Sequence, residues 1–263
     1  MGLDLDRLLQ KMSNRLVADA DLLGRNAPFR CVADVGCDHG YVSMYLVMRG
    51  IAERALAMDV RKGPLSAARA NVSEFGLEDK VELRISDGLL SLAPGQADAL
   101  VIAGMGGRLM ISILEAADTE GLGIKMGVLQ PQSDLRQFRE YVRKRGYEIT
   151  DERIVFEDGK YYFPMLVDFS NRSGDHSSRV LELEGMIKDR LEDTEDSGET
   201  AFRLSDRYGI FNILRHDELL YDYLRHGREV NTSILAGLNR DEHSARYSEV
   251  SSELQDTELL LNM

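Results

Sequence analysis

The fold of this chain is decided by the stretch Val32-Ala33-Asp34-Val35-Gly36-Cys37-Asp38-His39-Gly40-Tyr41. It predicts an apolar strand that ends beside an acid, a short loop with two glycines, and the start of a helix. Glycines let the backbone approach a ligand closely, and a helix start offers unpaired amides. In α/β proteins such a loop holds the nucleotide part of a cofactor. We therefore expect cofactor contacts from Asp34, Gly36, Cys37 and Gly40.

Apolar strands alternate with helical patterns through the first two thirds of the chain, which predicts crossover units and a parallel sheet. The predicted strands are 31–35, 54–59, 81–86, 98–103, 125–130, 147–155 and 161–169. The predicted helices are 40–49, 62–76, 107–117 and 132–145. The last two strands lack an intervening helix, which predicts an antiparallel hairpin that closes the sheet edge. Seven strands ending in this way favour the methyltransferase variant of the doubly wound fold over the six-stranded dehydrogenase variant.

Three further strand ends carry residues suited to S-adenosylmethionine (SAM). Strand two ends in Met58-Asp59, where an acid about twenty residues after the loop can accept hydrogen bonds from both ribose hydroxyls. Strand three ends in Ser86-Asp87-Gly88, where a carboxylate can accept from an adenine amine. Strand four ends in Ala103-Gly104-Met105-Gly106-Gly107, a loop with few side chains that faces the same crevice. We expect these ends to bind SAM through Asp59, Val60, Asp87, Gly88, Ala103 and Gly104.

A nicotinamide dinucleotide is the alternative cofactor, because the first two strand ends also suit its site. The segment Gly36-Cys37-Asp38-His39-Gly40 lacks the closer G-x-G-x-x-G spacing of that site. Asp59 can also be a solvated turn residue, and a glycine-rich strand end can be only a tight turn. The acid after strand three and the open loop after strand four favour SAM.

Several segments together resemble the TrmK family, the bacterial tRNA methyltransferases that act on N1 of adenine-22. The most specific are Asp34-Val35-Gly36-Cys37-Asp38-His39-Gly40-Tyr41 and Ile102-Ala103-Gly104-Met105-Gly106-Gly107, and the others are 63–72, 86–89 and 129–132. The resemblance covers roughly residues 10–169 and resumes weakly at Tyr208-Gly209. It implies a Rossmann-like class I methyltransferase domain with a helical coiled-coil tail, SAM as cofactor and tRNA as substrate. The alternatives are a SAM-dependent methyltransferase of another RNA base or a small molecule, and a non-catalytic SAM-binding interaction module.

Asp38, His39 and Met105 are the candidate catalytic residues. Adenine N1 has an in-plane lone pair and can attack a sulfonium methyl directly, so the protein mainly aligns the reacting atoms. Positive charge passes to the base, and Asp38 would stabilise it. His39 would donate a hydrogen bond or accept a proton after transfer, and Met105 would lie against the face of an unstacked adenine. The alternative for His39 is a cap on the following helix.

Basic residues near the predicted sheet edge are candidates for binding tRNA phosphates. Arg136, Arg139 and Arg143 are predicted to share one face of the helix after Gln130-Pro131, and a solvated helix face is the alternative. The other candidate substrate contacts are Arg15, Arg61, Lys62, Gly106, Gly107 and Arg108.

The net charge of −13 at first argues against a nucleic-acid partner, but it is unevenly distributed. Residues 1–168 carry 21 Lys and Arg against 25 Asp and Glu, and residues 170–263 carry 11 against 20. The first region therefore has room for a local basic face. Cys31 and Cys37 lie in one strand and its loop, which argues against a disulfide framework. With no signal peptide, no membrane-length apolar run and no metal site expected, we predict a cytoplasmic protein.

Three regions are predicted along the chain. Residues 1–169 form the methyltransferase domain, which includes an N-terminal amphipathic helix at 3–23 within residues 1–25. Residues 170–207 form an acidic linker or insert, in which 192–199 is most acidic. Residues 208–263 form an antiparallel helical coiled coil of segments 212–238 and 241–261, whose heptad seam is His243, Tyr247, Val250, Leu254, Thr257 and Leu261. The coiled coil can pack on the sheet domain, pair with another subunit or contact substrate, so a monomer and a homodimer are both compatible with the sequence.

Overall fold

A computed structural model describes residues 2–170, 177–188 and 197–263 of the protein. Two compact units are present, Met1–Asp175 and His176–Met263, and each has its own buried apolar core. In the first unit the strands are β1 (Phe29–Val35), β2 (Ala52–Asp59), β3 (Val81–Ile85), β4 (Ala99–Met105), β5 (Met126–Pro131), β6 (Glu148–Glu152), β7 (Val155–Glu157), β8 (Lys160–Tyr162) and β9 (Met165–Asp168). Its α-helices are α1 (Gly2–Leu9), α2 (Asn14–Leu23), α3 (Tyr41–Met48), α4 (Lys62–Glu74), α5 (Gly107–Ala116) and α6 (Leu135–Lys144).

The predicted seven-stranded, mostly parallel sheet is confirmed, with strand order β3-β2-β1-β4-β5-β9-β6. Strands β3, β2, β1, β4 and β5 are parallel, and β9 runs antiparallel to both of its neighbours. The central strand β1 is buried at every position except Arg30, and β4 is buried at its first four positions, which explains the apolar residues there. The order reverses between β1 and β4, and this is where an open α/β sheet forms a crevice for ligands.

The antiparallel end of the sheet differs from the expected simple hairpin. The predicted strands 147–155 and 161–169 are each interrupted, so β7 and β8 form a separate two-stranded hairpin. Pro164 lies between β8 and β9 and has no amide hydrogen to continue a ladder. The last strand, β9, lies between β5 and β6, so β6 forms the edge of the sheet.

The predicted continuous helix over 3–23 is also interrupted, at residues 10–13 between α1 and α2. The change of direction lets α1 pack on α3 while α2 packs across β4 and β5. Leu8 and Leu23, one from each helix, are both fully buried. The free energy gained by burying the apolar stripes of both helices therefore exceeds the cost of interrupting one continuous helix.

The second unit is helical and comprises α7 (Ser177–Lys188), α8 (Ser197–Tyr208), α9 (Ile210–Leu214), α10 (Glu218–Gly237) and α11 (Ser244–Leu261). Helix α7 and nearly all of α8 lie within 170–207, the predicted acidic linker or insert. They pack together because Leu183, Ile187, Ala201 and Leu204 provide a shared apolar face. Residues 171–176 and 189–196 lie outside the described residues, and with them most of the acidic stretch 192–199.

Helices α10 and α11 pack against each other across the turn 238–243. Of the predicted heptad seam, Val250 and Thr257 are buried and His243 is exposed. Asp256 of α11 is buried between Arg203 and Arg207 of α8, at 3.0 and 2.9 Å. The antiparallel coiled coil stays a prediction. Among the described residues, every helix falls short of the length and apolar character that a bilayer crossing requires.

Candidate active site

A cavity of about 460 Å³ opens at the carboxyl ends of the parallel strands. Its volume lies in the usual range for sites that bind small molecules and cofactors. The described residues include no cluster of three or more His, Cys, Asp or Glu arranged for a metal ion. The cavity walls bring together these predicted site residues: Arg15, Asp34, Gly36, Cys37, Asp38, His39, Asp59, Val60, Arg61, Asp87, Gly88, Ala103, Gly104 and Met105.

The loop after β1 turns tightly under the cavity. The amides of Gly36 and Cys37 both donate to the carbonyl of Met58, at 2.8 and 3.0 Å. Gly36 has φ +76°, and a Cβ there would collide with the methyl end of Met105. Asp38 has φ +49°, a left-handed conformation that Asp tolerates better than most residues. This explains how an acid occupies the middle of a loop in which a glycine is common.

The carboxylate of Asp34 fixes the start of α3 against the end of β1. Its Oδ2 accepts hydrogen bonds from the amide and the hydroxyl of Ser43, at 3.1 and 2.6 Å. Burial raises the pKa of Asp34 to about 6, and the two bonds from Ser43 oppose that rise. Asp34 therefore lines the cavity and also holds its framework together.

Asp59 forms the adjacent wall at the end of β2. It is buried, and its Oδ1 accepts a hydrogen bond of 2.8 Å from the amide of Arg61. The guanidinium Nε of Arg61 lies 3.5 Å from the same oxygen, while most of the Arg61 side chain is exposed. A buried carboxylate thus faces the cavity beneath an arginine at its rim.

The ends of β3 and β4 complete the walls. After β3, Ser86 donates to the carbonyl of Gly88 at 2.8 Å, and a Cβ on Gly88 would lie 2.9 Å from Ile113. After β4, Gly107 donates to the carbonyl of Ser133 at 3.1 Å, and a Cβ on Gly107 would lie 2.6 Å from that oxygen. The glycine loop therefore packs directly on the segment after β5. Gly106 and Gly107 shape it without lining the cavity.

A buried polar network that sequence reasoning missed supports Arg15. Nη1 of Arg15 donates to Oε1 of Gln130 at 2.9 Å, and Nε2 of Gln130 donates to both carboxylate oxygens of Asp19, at 2.8 and 2.9 Å. Gln130 and Asp19 have no solvent exposure. Asp19 lies between Leu16 and Leu23 on the apolar stripe of α2. An acid on such a stripe is the sequence signal that could have indicated a buried polar contact.

Other walls missed from the sequence are mostly apolar. Five of the eight come from α2, α3 and α5, whose inward faces cannot be assigned to a ligand by periodicity alone, and the other three lie at the ends of β1, β3 and β5. The missed wall residues are Leu16, Val35, Tyr41, Val42, Ser86, Leu109, Ile113 and Gln132.

Arg139 is the predicted RNA contact that the structure contradicts. Only 2% of it is exposed, and its Nε donates to Oε1 of the buried Glu152 at 2.9 Å. Its guanidinium also lies 5.6 Å from the centre of the Phe163 ring. Arg136 is exposed and Arg143 is half-buried, and neither lines the cavity. The predicted three-arginine face is therefore wrong, because the middle position is turned into the core between α6 and β6.

Gly40, Lys62 and Arg108 lie around the site rather than in its walls. Gly40 is the N-cap of α3, so the alternative in which His39 caps that helix is wrong. The His39 ring instead stacks on Tyr41 with centroids 5.6 Å apart, and its Nε2 lies 3.7 Å from Oδ2 of Asp38. Lys62 begins α4, and Arg108 pairs with Asp134 at 3.1 Å.

A family model described as a methyltransferase domain matches residues 12–165. The chain is 36% identical over 177 residues to the tRNA (adenine(22)-N(1))-methyltransferase of Bacillus subtilis. The aligned residues cover 67% of this chain and 73% of the relative. The crystal structure of the B. subtilis M1A22 tRNA methyltransferase TrmK has a TM-score of 0.72 at 26% identity, over 95% of this chain and 98% of that one.

The structure of M. capricolum TrmK in complex with S-adenosyl-homocysteine has a TM-score of 0.73 at 22% identity, over 95% of this chain and 98% of that one. This second likeness concerns the fold. The domain match spans every residue that lines the cavity. The chain therefore belongs to the TrmK family of methyltransferases.

Proposed function

We propose that this protein transfers the methyl group of SAM to N1 of adenine 22 in tRNA. Its family and its relative in B. subtilis support the reaction and the acceptor. The observation that carries the proposal is the acidic cavity at four adjacent strand ends, because it fits a cationic methyl donor. Both SAM and tRNA are cytoplasmic molecules, so we place the protein in the cytoplasm.

The charge of the cavity distinguishes SAM from a dinucleotide. Its walls contain the four carboxyl groups of Asp34, Asp38, Asp59 and Asp87 against the two guanidinium groups of Arg15 and Arg61. Carboxylates attract the sulfonium of SAM and repel the two phosphates of a nicotinamide dinucleotide. The chemistry of the wall residues therefore agrees with SAM and disfavours the alternative cofactor.

Individual wall residues suit separate parts of SAM. Asp59 would accept hydrogen bonds from the ribose hydroxyls and Asp87 from the adenine amine. Val60, Leu109 and Ile113 provide apolar surface for the two faces of the adenine ring. The backbone of the Gly36–Gly40 loop can approach the rest of the molecule, and Cys37, Ala103 and Gly104 complete its surroundings.

SAM supplies an electrophilic methyl carbon that the N1 lone pair can attack in line with sulfur. The residues of the protein would align the base, since no proton has to leave N1 first. The Gly104–Gly107 loop leaves space for an adenine, with Met105 against its face. Asp38 would stabilise the positive charge that moves onto the base, and the neighbouring His39 would donate a hydrogen bond or take up a proton afterwards.

The tRNA would be bound by cations at the rim of the cavity and beside it. Arg15 and Arg61 lie in the walls, whereas Lys62, Arg108 and Arg136 are exposed and lie outside the walls. Arg143 is half-buried and would contribute less, and Arg139 is withdrawn from this set because it is buried. Phosphate contacts of this kind weaken as salt rises, so tRNA affinity should fall with ionic strength.

A methyl-transfer assay on unmodified tRNA tests the proposal. With labelled SAM, digestion to nucleosides should give 1-methyladenosine, and replacing adenine 22 by guanine should abolish it. Another methylated nucleoside would indicate a different RNA methyltransferase. SAM binding without any transfer to RNA would indicate a non-catalytic module, and either result would contradict the proposal.

A further inference from the structure

Gln132 is the one carboxamide side chain among the described residues that line the cavity. It follows β5 directly, and its backbone amide donates a hydrogen bond of 2.8 Å to the carbonyl of Met105. This bond holds the main chain of Gln132 beside the glycine loop after β4. Gln132 is exposed, and its carboxamide forms no hydrogen bond within residues 2–170, 177–188 and 197–263. The donor and the acceptor of this carboxamide are therefore both open to a ligand.

The carboxamide lies beside the open side of Gly104. This glycine is exposed and has φ +77°. The point at which a Cβ of Gly104 would lie is 3.9 Å from Nε2 of Gln132 and 4.0 Å from Nη1 of Arg15. A side chain there would touch both groups, whereas glycine leaves the space to a ligand. The next residue is Met105, which the proposed reaction places against the face of the target adenine.

We propose that Gln132 recognises the target adenine by the edge that carries N6 and N7. Its Oε1 accepts a hydrogen bond from the N6 amine and its Nε2 donates one to N7, which is the usual pairing of glutamine with adenine. N1 takes no part in these two bonds, so its lone pair stays free to attack the methyl carbon. The inference rests on the proposed function and names a residue that selects the base.

The other polar side chains of the cavity wall do not match this edge. It requires an acceptor for N6 and, beside it, a donor for N7. The four carboxylates of the wall only accept hydrogen bonds, and its two guanidinium groups only donate them. The two ring nitrogens of His39 point in different directions, so they cannot serve neighbouring atoms together. Guanine presents two acceptors, O6 and N7, so either orientation of the Gln132 amide would leave an oxygen facing an acceptor.

The test combines a variant of Gln132 with a substrate that lacks N7. Two tRNAs carry adenine or 7-deazaadenine at position 22, and the second keeps N1 and N6 but has a C–H group in place of N7. For the unaltered full chain, kcat/KM should be about tenfold lower with the 7-deazaadenine tRNA, because Nε2 of Gln132 loses its acceptor. Gln132→Ala should lower kcat/KM for the adenine tRNA about 10- to 100-fold and should use the two tRNAs equally well within about twofold.

Gln137→Ala is the matched control. Gln137 is an exposed glutamine on α6, five positions along the chain, and it lies outside the cavity walls. This variant should keep the kcat/KM of the unaltered protein and its preference for adenine over 7-deazaadenine. SAM affinity, measured by calorimetry, should be unchanged in both variants.

Two results would overturn the inference. One is an unaltered protein that methylates the adenine and 7-deazaadenine tRNAs equally well. The other is a Gln132→Ala protein that still prefers adenine, since its lower activity would then come from a change in structure. Failure of the proposed function is recognised separately, because the unaltered protein would then form no 1-methyladenosine from the adenine tRNA.

Discussion

At the scale of single residues, the least expected group is the carboxyl of Asp19. It is fully buried on α2, and its surroundings contain the Arg15 guanidinium, the Gln130 amide and the Asp34 carboxyl. Burial raises the pKa of Asp19 to about 8, while the charge of Arg15 and the hydrogen bond from Gln130 oppose that rise. The folded protein thus holds a proton that the unfolded chain releases near pH 4.

Asp19→Asn should make folding less sensitive to pH. Because the folded pKa lies above the unfolded value of 3.8, the contribution of Asp19 is fully present below about pH 4 and is lost as pH rises towards 8. The loss for one proton is at most about 1.4 kcal/mol per pH unit. Urea unfolding at pH 5, 6, 7 and 8 should show that the unfolding free energy of the variant rises relative to that of the unaltered protein as the pH increases. A constant difference would contradict the assignment.

Asp59→Ala should weaken SAM binding at least about tenfold, because a buried charged acceptor facing the cavity is lost. Isothermal calorimetry measures the Kd directly. Asp79→Ala is the matched control, since Asp79 is an exposed acid outside the cavity and should leave the Kd unchanged. Unchanged affinity in the Asp59 variant would remove this residue from the proposed cofactor site.

At the scale of elements, the loop between β4 and α5 is shaped by contact with its neighbour. Gly107→Ala places a Cβ only 2.6 Å from the carbonyl oxygen of Ser133. Either the loop after β4 or the segment after β5 must therefore shift. We expect the unfolding free energy to fall by about 1–3 kcal/mol and SAM affinity to fall with it. Gly63→Ala is the control, because Gly63 also lies in the first turn of a helix but has open space around it. Both quantities should be retained there, and equal behaviour of the two variants in thermal unfolding would refute the argument.

The elements also show where sequence reasoning succeeds and where it ends. The alternation of strands and helices predicts the sheet, because β1 and the first four residues of β4 are mostly buried and their sequences are mostly apolar. The strand-end acids Asp34, Asp59 and Asp87 are predicted together because parallel strands end at one edge. By contrast, the place of β9 between β5 and β6 is a long-range pairing that periodicity does not contain.

Partners distant in sequence account for the other differences. Helical spacing places Arg136, Arg139 and Arg143 near one another, but only Glu152 on β6 explains why Arg139 enters the core. The pairing of Asp19 with Gln130 joins residues 111 positions apart. An acid on an apolar stripe, as at Asp19, signals burial, but the partner that allows the burial leaves no pattern in that segment.

At the scale of the whole molecule, the cavity and the greater part of the negative charge belong to different units. Every described residue that lines the cavity belongs to Met1–Asp175. The greater part of the net negative charge lies beyond Ser170. The second unit has its own core, which includes Leu183, Leu204 and Val250. Stabilisation by SAM is therefore a property of the first unit.

SAM should raise hydrogen-exchange protection in the first unit and leave α10 and α11 unchanged. At a concentration of about 100 times its Kd, a ligand that binds only the folded state stabilises it by about 2.7 kcal/mol. Amides around the cavity, in the loops after β1, β2, β3 and β4, should slow most when peptides are followed by mass spectrometry. A nicotinamide dinucleotide at the same concentration should have no effect, because the carboxyl groups of the cavity repel its phosphates. Equal slowing in α11 would show that cofactor binding is coupled to the second unit, and equal slowing by the dinucleotide would contradict the charge argument for SAM.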